Sequence, residues 1–243
     1  MYTIEIIGPP GSGKSTFFMN LQHQLNAMNV PNILMLGTKF YYGNYTTRLN
    51  YSCLNIPIYF ITALIEIFSN FSFLCAPYKR NTVLKKPKHI RMFKLALKQI
   101  YNEKILYQNM PSKSISMLDP GWIMRFLNGY NFSRYAPNDE TIITFLNKIN
   151  LPRILIVLHV SPNTALKRLA KRSRGAPKRM HQLHKEIWPF VINNSNIVSH
   201  KIAYFTKTKG IPVYTFNSNL FSTEKMTDIL VNSEKQFFNN LSC

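Results

Sequence analysis

Short apolar runs alternate along the chain with longer segments in which apolar residues recur every three or four positions. The first run, Tyr2–Ile7, predicts a strand, and the segment from about Lys14 to Met28 predicts a helix. The most apolar run is Arg153–Val160, where aliphatic side chains follow one another without interruption. Strands that are apolar throughout and alternate with helices are typical of a parallel sheet covered on both faces. The pattern therefore predicts an α/β fold.

The same patterns place the remaining elements. Further strands are predicted at Asn32–Leu36, Ser114–Leu118 and Val213–Phe216. Helices are predicted at Ile56–Leu74, Ile90–Asn109, Trp122–Leu127, Asp139–Ile149 and Pro162–Arg172, in a long stretch before Val213, and from about Thr223 to the end. Residues 37–51 are predicted to form a polar and aromatic loop, and residues 173–178 a basic loop rich in Gly and Pro.

One apolar segment, Ile56–Ala76, is long enough to cross a bilayer. It carries Glu66 near its centre, and a carboxylate there costs about 2.5–3.5 kcal/mol on insertion scales. Because apolar residues cover every face, we predict a buried helix, with contact to a membrane surface or a partner as the alternative and a membrane span as a third. A basic cluster at residues 79–91 favours the membrane-surface alternative, since such clusters attract anionic lipid.

The composition fits a globular chain with an unusual charge. Hydrophobic residues make up 46% of the 243 residues, which excludes a chain that is mainly disordered. Lys and Arg number 30 against 10 Asp and Glu, a formal net charge of +20. Such a surface attracts anions, so nucleotides, nucleic acid and anionic membrane surfaces are all candidate partners. AT-rich coding would raise the lysine content but would not by itself remove the acidic residues.

The three cysteines are widely spaced and form no C-x-x-C pair, which argues against a disulfide framework and a cysteine-based zinc site. Unpaired thiols are typical of a reducing compartment. The first apolar run is too short for a signal peptide, so we expect a cytoplasmic protein, with membrane association left open.

Residues 8–16 read Gly-Pro-Pro-Gly-Ser-Gly-Lys-Ser-Thr and satisfy the phosphate-binding pattern G-x-x-x-x-G-K-[ST]. Glycines let the backbone turn its N–H groups toward phosphate oxygens, and the helix that follows presents its positive N-terminus to the same anion. Lys14 can reach the β- and γ-phosphates, and the Ser15 hydroxyl can ligate Mg²⁺. The motif follows a predicted strand and opens a predicted helix, as the chemistry requires.

A phosphate-binding loop of this pattern, here residues 8–16, is called a P-loop. A P-loop site also needs a carboxylate at the tip of a neighbouring strand to hold Mg²⁺. The chain has three aspartates, and Asp119 alone ends an apolar run. We predict Asp119 as this carboxylate; the alternative is a turn-forming residue before Pro120 and Gly121. Glu5, a polar residue within the first strand, is a second candidate, because a buried carboxylate there needs a partner.

A basic stretch follows the most apolar strand. Arg168 and Arg172 are four residues apart, and four-residue spacing places both side chains on one helix face. Two arginines leading into a mobile-looking loop could clamp a transferring phosphoryl group. The alternative is a solvated basic face, which is what most charge runs are.

The combination resembles P-loop kinases of the thymidylate kinase and nucleoside monophosphate kinase type. The resemblance rests on Ile4–Thr16, on the strand that ends at Asp119, and on Ile156–Arg172. It implies a parallel core of about five strands with helices on both faces, a basic lid, and Mg²⁺-dependent transfer of the ATP γ-phosphoryl group. Its implied ATP-binding residues are the glycines of the loop with their neighbours and one lid arginine: Gly8, Gly11, Ser12, Gly13, Lys14, Ser15, Thr16 and Arg174.

The chain departs from the thymidylate kinase pattern at two places. Pro120 follows Asp119 where that family usually carries arginine, and Arg125 could replace the missing cation. The acidic, glycine-rich acceptor motif after the second strand is absent. Lys39 and Arg48 in that loop could hold an acceptor phosphate, or they could be surface residues of an aromatic-rich segment.

The sequence thus predicts one P-loop kinase-like domain over residues 1–243, with an acceptor region at about 37–112 and a lid at about 172–180. Its predicted activity is transfer of the ATP γ-phosphoryl group to a small acceptor with Mg²⁺. Lys14, Asp119, Arg168 and Arg172 are the predicted catalytic residues, with Ser15 and Asp119 on the metal. Two alternatives remain: a P-loop kinase or NTPase acting on nucleic acid, and a membrane-associated, nucleotide-dependent binding module. A homodimer also remains open.

Overall fold

The computed structural model describes residues 1–36, 39–42, 61, 65, 111–130, 136–172, 180 and 184–242. Within them lies a six-stranded sheet in the spatial order β3-β2-β4-β1-β5-β6. The strands are β1 (Tyr2–Ile7), β2 (Asn32–Leu36), β3 (Lys39–Tyr42), β4 (Ile115–Asp119), β5 (Ile154–His159) and β6 (Val213–Asn217).

Five of these strands run parallel, which confirms the predicted parallel core. β4 and β5 flank β1, β2 pairs with the far side of β4, and β6 pairs with β5. β1 therefore lies at the centre of the parallel part. The loop after β1 is thus placed between the carboxyl ends of β4 and β5.

The described helices are α1 (Lys14–Ala27), α2 (Trp122–Tyr130), α3 (Asp139–Lys148), α4 (Pro162–Ala170), α5 (Trp188–Lys207), α6 (Thr223–Ser233) and α7 (Lys235–Asn239). A short 3₁₀ turn, Lys185–Ile187, leads directly into α5. The predicted helix over Pro162–Arg172 is two residues shorter in the structure. Its last helical residue is Ala170, although the Arg172 amide still donates to the Leu169 carbonyl at 3.3 Å.

Helices cover both faces of the sheet, and β5 shows why. Leu155 and Val157 face a core cluster formed with α2, α3 and α5. Ile154, Ile156 and Leu158 face the other cluster, formed with α1, α6 and α7. Side chains alternate between the faces of a strand, so a run without polar interruptions is what a strand between two helical layers requires.

The loop prediction was wrong at residues 39–42. Residues 37–51 were predicted to be a loop, but Lys39–Tyr42 forms β3 and pairs antiparallel with β2, with Leu36 opposite Lys39. The segment Phe40-Tyr41-Tyr42 has high β propensity and lies only two residues after β2, an arrangement that suits a tight hairpin. Its mixture of aromatic and polar residues hid the strand in the sequence.

The apolar segment Ile56–Ala76 lies outside the described residues except at two positions. Ile61 and Ile65 are helical, and their side chains are 55% and 63% exposed. The prediction of a helix buried on every face is therefore wrong at these two positions. Among the helices of the described residues, none combines the length and the apolar character needed to cross a bilayer. The predicted helix Ile90–Asn109 lies outside the described residues.

Candidate functional site

The glycine-rich loop fits into a narrow space between β5 and α4. A Cβ added to Gly8 would lie 2.4 Å from the Leu158 carbonyl oxygen, and one added to Gly11 would lie 2.8 Å from the Ala165 carbonyl oxygen. Both glycines also have positive φ angles, 146° and 84°. Only glycine meets both demands without displacing backbone, which explains these residue types at these two positions.

The first turn of α1 is open toward the loop. Its N-cap is Gly13, which makes no side-chain capping hydrogen bond. The turn carries no acidic residue, and the first helical bond runs from the Phe17 amide to the Gly13 carbonyl at 2.9 Å. The amides of Lys14, Ser15 and Thr16 precede that bond. A helix N-terminus of this kind is a site for an anion.

Asp119 lies where the sequence predicted it. It is the last residue of β4, and β4 is the parallel neighbour of β1. The Ser15 hydroxyl lies 3.4 Å from the Asp119 Oδ2 atom and donates to it. Residues separated by 104 positions in the sequence thus meet beside the open helix N-terminus.

The Lys14 side chain crosses the loop that precedes it. Its Nζ atom donates to the Gly8 carbonyl at 2.8 Å and to the Pro9 carbonyl at 2.9 Å. Loss of hydration lowers the Lys14 pKa to about 8, although Asp119 acts in the opposite direction. Arg172 also lowers the Lys14 pKa, which shows that a second cation acts on the same place.

Burial raises the pKa of Asp119, while the positive charge of Lys14, the hydrogen bond from Ser15 and the charge of Arg172 lower it. The site therefore has two cations, Lys14 and Arg172, around one carboxylate. A phosphate group would supply the missing negative charge and would replace the lost hydration.

The donor set fits Mg²⁺. A carboxylate oxygen and a hydroxyl oxygen are hard ligands, and Mg²⁺ is usually held by one or two protein oxygens together with phosphate oxygens and water. Ser15 and Asp119 supply such a pair at the mouth of the loop. Ser12 adds a polar group: its hydroxyl is fully buried and has no partner among the described residues.

Arg168 and Arg172 do not act on the same neighbours. Arg168 Nη2 donates to the Ser218 carbonyl at 2.6 Å and Nη1 to the Ser218 hydroxyl at 3.1 Å. Its Nη1 also lies 3.5 Å from the Gly11 carbonyl oxygen. Arg168 thus joins the P-loop to the segment after β6, whereas Arg172 lies beyond the last residue of α4 and influences Lys14 and Asp119.

The segment after β6 was not among the predicted site residues. Ser218 is buried, and its hydroxyl donates to the His159 carbonyl at 2.9 Å. Thr223, the first residue of α6, lies against the other side of the loop, since a Cβ on Gly13 would be 3.5 Å from its methyl carbon. A polar pair, Asn217-Ser218, at the end of an apolar strand was the available sequence signal.

Glu5 is buried and has a structural partner. Its Oε1 atom accepts a hydrogen bond from the Met124 amide, in the first turn of α2, at 2.7 Å. A Cβ on Gly121 would lie 2.4 Å from the Glu5 Cδ atom, so the carboxylate packs directly on the turn that follows Asp119. A carboxylate at a helix N-terminus is favourable, and here it fixes α2 to β1.

The predicted acceptor residues are described only in part. Arg125 is buried on α2, with its guanidinium 5.3 Å from the centre of the Trp122 ring. Lys39 is in β3, and its side chain lies outside the described part of the structure. Arg48 and the predicted lid residue Arg174 also lie outside the described residues.

Comparisons with known proteins give a fold likeness. No protein-family model matches the chain, and no curated protein does. Among solved structures, a deoxyadenosine kinase from M. mycoides with bound dATP is similar to this chain, with a TM-score of 0.44 and 16% sequence identity. The match covers 97% of this chain and all of that one. At this identity the likeness concerns the fold alone.

Proposed function

We propose that this chain is a P-loop phosphotransferase that binds ATP with Mg²⁺ and transfers the γ-phosphoryl group to a small acceptor. The observation that carries the proposal is the meeting of Lys14, Ser15 and Asp119 at the open N-terminus of α1, within the field of Arg172. These are the groups that phosphoryl transfer requires: a backbone cradle, a cation for the phosphates, oxygen ligands for a metal, and a second cation for the charge that develops during transfer.

In the proposed mechanism, the amides of Lys14, Ser15 and Thr16 bind phosphate oxygens, and Lys14 exchanges the Gly8 and Pro9 carbonyls for the nucleotide. Ser15 and Asp119 would hold Mg²⁺, which supplies charge neutralisation on the phosphates when bound. Arg172 stabilises the charge that develops on the transferred group. Arg168 holds the P-loop against the segment after β6 through its hydrogen bonds to both.

The acceptor side of the proposal rests on fewer residues. Arg125 lies six residues after Asp119, in α2, and supplies a cation on that side of the site, with Lys39 and Arg48 as further candidates. The proposed domain covers residues 1–243, with the acceptor region at about 37–112 and the lid, including Arg174, at about 172–180.

The test is transfer of labelled γ-phosphate from ATP to nucleosides, nucleoside monophosphates and nucleic-acid ends. We expect transfer to one class of small molecule and a loss of about 10²–10³-fold in Lys14→Ala. Lys113→Ala, which changes an exposed lysine before β4, is the matched control and should keep full turnover.

Three results would contradict the proposal. Transfer to nucleic-acid ends alone would favour the nucleic-acid kinase. Tight Mg²⁺–ATP binding without transfer to any acceptor would favour a binding module. Equal turnover in Lys14→Ala and Lys113→Ala would remove the P-loop from the activity.

A further inference from the structure

The longest described helix, α5, turns one narrow stripe of residues to solvent. Its exposed positions are Phe190, Asn193, Ile197, His200, Tyr204 and Lys207. Their spacing alternates between three and four residues, which keeps all of them on one line along the helix. One step further back, the same spacing reaches Glu186, an exposed residue of the 3₁₀ turn that leads into α5.

Every second position of this stripe, which we call the α5 stripe (residues 186–207), is a large apolar side chain. Phe190 is 43% exposed, Ile197 53% and Tyr204 66%, at intervals of seven residues. The opposite side of α5 is already buried: Val198 and Ile202 belong to the core beneath the sheet. Single exposed apolar residues are ordinary, but a line of them along one helix indicates a contact surface.

The α5 stripe is complementary to itself in the antiparallel direction. When two copies of α5 are aligned antiparallel about a two-fold axis at Ile197, Phe190 lies opposite Tyr204 of the second copy. Ile197 then lies opposite its own symmetry mate, and Asn193 lies within one residue of the position opposite His200. A two-fold axis requires this kind of self-complementarity, because the same patch must serve both subunits.

The charges of the stripe follow the same symmetry. Glu186 lies at one end and Lys207 at the other, so antiparallel alignment brings each Glu186 near a Lys207 of the second copy, one residue from the position directly opposite. Both are exposed. In a chain with a net charge of +20, two copies repel each other over most of their surface, so a face with an acid at one end is a suitable place for them to meet.

The neighbouring helix α3 widens the surface. Lys201 of α5 forms an ion pair with Asp139 of α3 at 2.8 Å, and Lys209 donates to Asn147. These contacts hold the two helices side by side, and Ile143 of α3 is 38% exposed beside them. A helix of 20 residues is about 30 Å long, which suits an interface near the standard size of about 800 Å² for each partner.

We propose that the α5 stripe is a homodimer interface, in which two copies of α5 pack antiparallel about a two-fold axis at Ile197. The partner is a second copy of this chain. The proposal does not depend on the proposed kinase activity, since it concerns a face formed by α3 and α5 and none of the P-loop residues.

Sedimentation of the full chain over the micromolar range, with reductant present, tests the proposal. We expect a concentration-dependent dimer for the wild type and a monomer for Ile197→Asp. Ile229→Asp, which places the same charge at an exposed isoleucine of α6, is the matched control and should remain dimeric. Circular dichroism checks that each variant is folded.

A charge exchange tests the antiparallel direction. Glu186→Lys should weaken the dimer by at least about tenfold, because it brings like charges together. Adding Lys207→Glu to Glu186→Lys should restore the dimer, since the pairing is then reversed but complementary. A monomeric wild type, or equal weakening by Ile197→Asp and Ile229→Asp, would overturn the interface. If the double variant dimerised no more strongly than Glu186→Lys alone, the antiparallel arrangement would be overturned.

Discussion

The Lys14 ammonium group donates hydrogen bonds to two carbonyl oxygens of its own loop. The charges of Asp119 and Arg172 also act on its pKa. Loss of hydration lowers its pKa from 10.5 to about 8, so near pH 8 about half of the ammonium groups are neutral. A bound phosphate favours the charged form. Nucleotide binding should therefore take up about half a proton at pH 8, and much less at pH 6.5.

Calorimetry with a non-hydrolysable ATP analogue, in two buffers of different ionisation heat, measures this uptake. Lys14→Ala should lack it, whereas Lys113→Ala should retain it. The lowered Lys14 pKa also fixes the direction in which the stability of the folded protein changes with pH. Because the folded-state pKa is depressed, the cost of burying charged Lys14 is present below about pH 8 and is relieved as the pH rises toward 10.5. Equal proton uptake in both variants would mean that another group titrates.

Asp119 is the second residue whose role can be isolated. Asn has nearly the same shape and can still accept a hydrogen bond from Ser15, but it lacks the charge that a hard cation favours. We expect Asp119→Asn to reduce Mg²⁺-dependent turnover by about 10²-fold or more, while nucleotide binding without Mg²⁺ changes little. Titration of nucleotide with and without Mg²⁺ separates the two effects. An equal change in both would make Asp119 structural.

At the scale of elements, Arg168 within α4 and Arg172 just beyond its end are expected to have different functions. We expect Arg168→Ala to weaken ATP binding about tenfold or more with kcat largely retained, because its three contacts hold loops together. Arg172→Ala should instead lower kcat strongly and change ATP affinity little, since a cation delivered to the developing charge acts in the transition state. Arg172→Lys should rescue only in part, because a point charge lacks the planar fork of arginine.

Steady-state kinetics and direct nucleotide-binding measurements on both variants distinguish a role in binding from a role in turnover. Lys171→Ala, an exposed neighbour between them, is the control and should behave as the wild type. If Arg168→Ala lowered kcat and left nucleotide binding unchanged, Arg168 would be catalytic, as its position in the sequence first suggested. Near-normal turnover in Arg172→Ala would remove it from the mechanism.

The connection between β4 and α2 allows a prediction on stability. Gly121→Ala would place a methyl group 2.4 Å from the Glu5 Cδ atom, in a turn where Glu5 also accepts from the Met124 amide. Overpacking of this kind costs about 1–3 kcal/mol. Urea unfolding should show a loss in that range, with Asp119-dependent turnover reduced as well. Gly121 is not among the glycines with a positive φ, so the loss would come from the contact with Glu5. Gly210→Ala, at a glycine with a positive φ and no atom nearby, gives the cost of backbone strain alone for comparison.

The elements also show what the sequence could predict. The P-loop, the strand ending at Asp119 and the five parallel strands were predictable, because each depends on local residue order and on apolar runs that neighbouring helices bury. The partner of Glu5 lies 119 residues away and that of Arg168 50 residues away. Such pairs depend on the order of strands in the sheet, which residue patterns leave undetermined. The roles of Arg48 and Arg174 stay predictions.

At the scale of the whole molecule, the sheet has helices on both faces, and the surface has a large excess of positive charge. With 30 basic residues against 10 acidic ones, most cations have no acidic residue with which to pair. Like charges then repel, and folding brings them closer together. Salt screens this repulsion, since the Debye length falls from about 30 Å at 0.01 M to about 8 Å at 0.15 M.

We therefore expect the melting temperature of the nucleotide-free protein to rise by a few degrees when sodium chloride is raised from about 0.01 M to about 0.15 M. A gain of about 1 kcal/mol corresponds to roughly 2–4 °C for a chain of this size. The double variant Lys113→Glu with Lys235→Glu changes two exposed lysines outside the P-loop site and lowers the net charge from +20 to +16, since each exchange removes two charges. Its melting temperature should be higher at low salt and respond less to added salt. A fall in melting temperature with salt would show that attractive ion pairs outweigh the net repulsion.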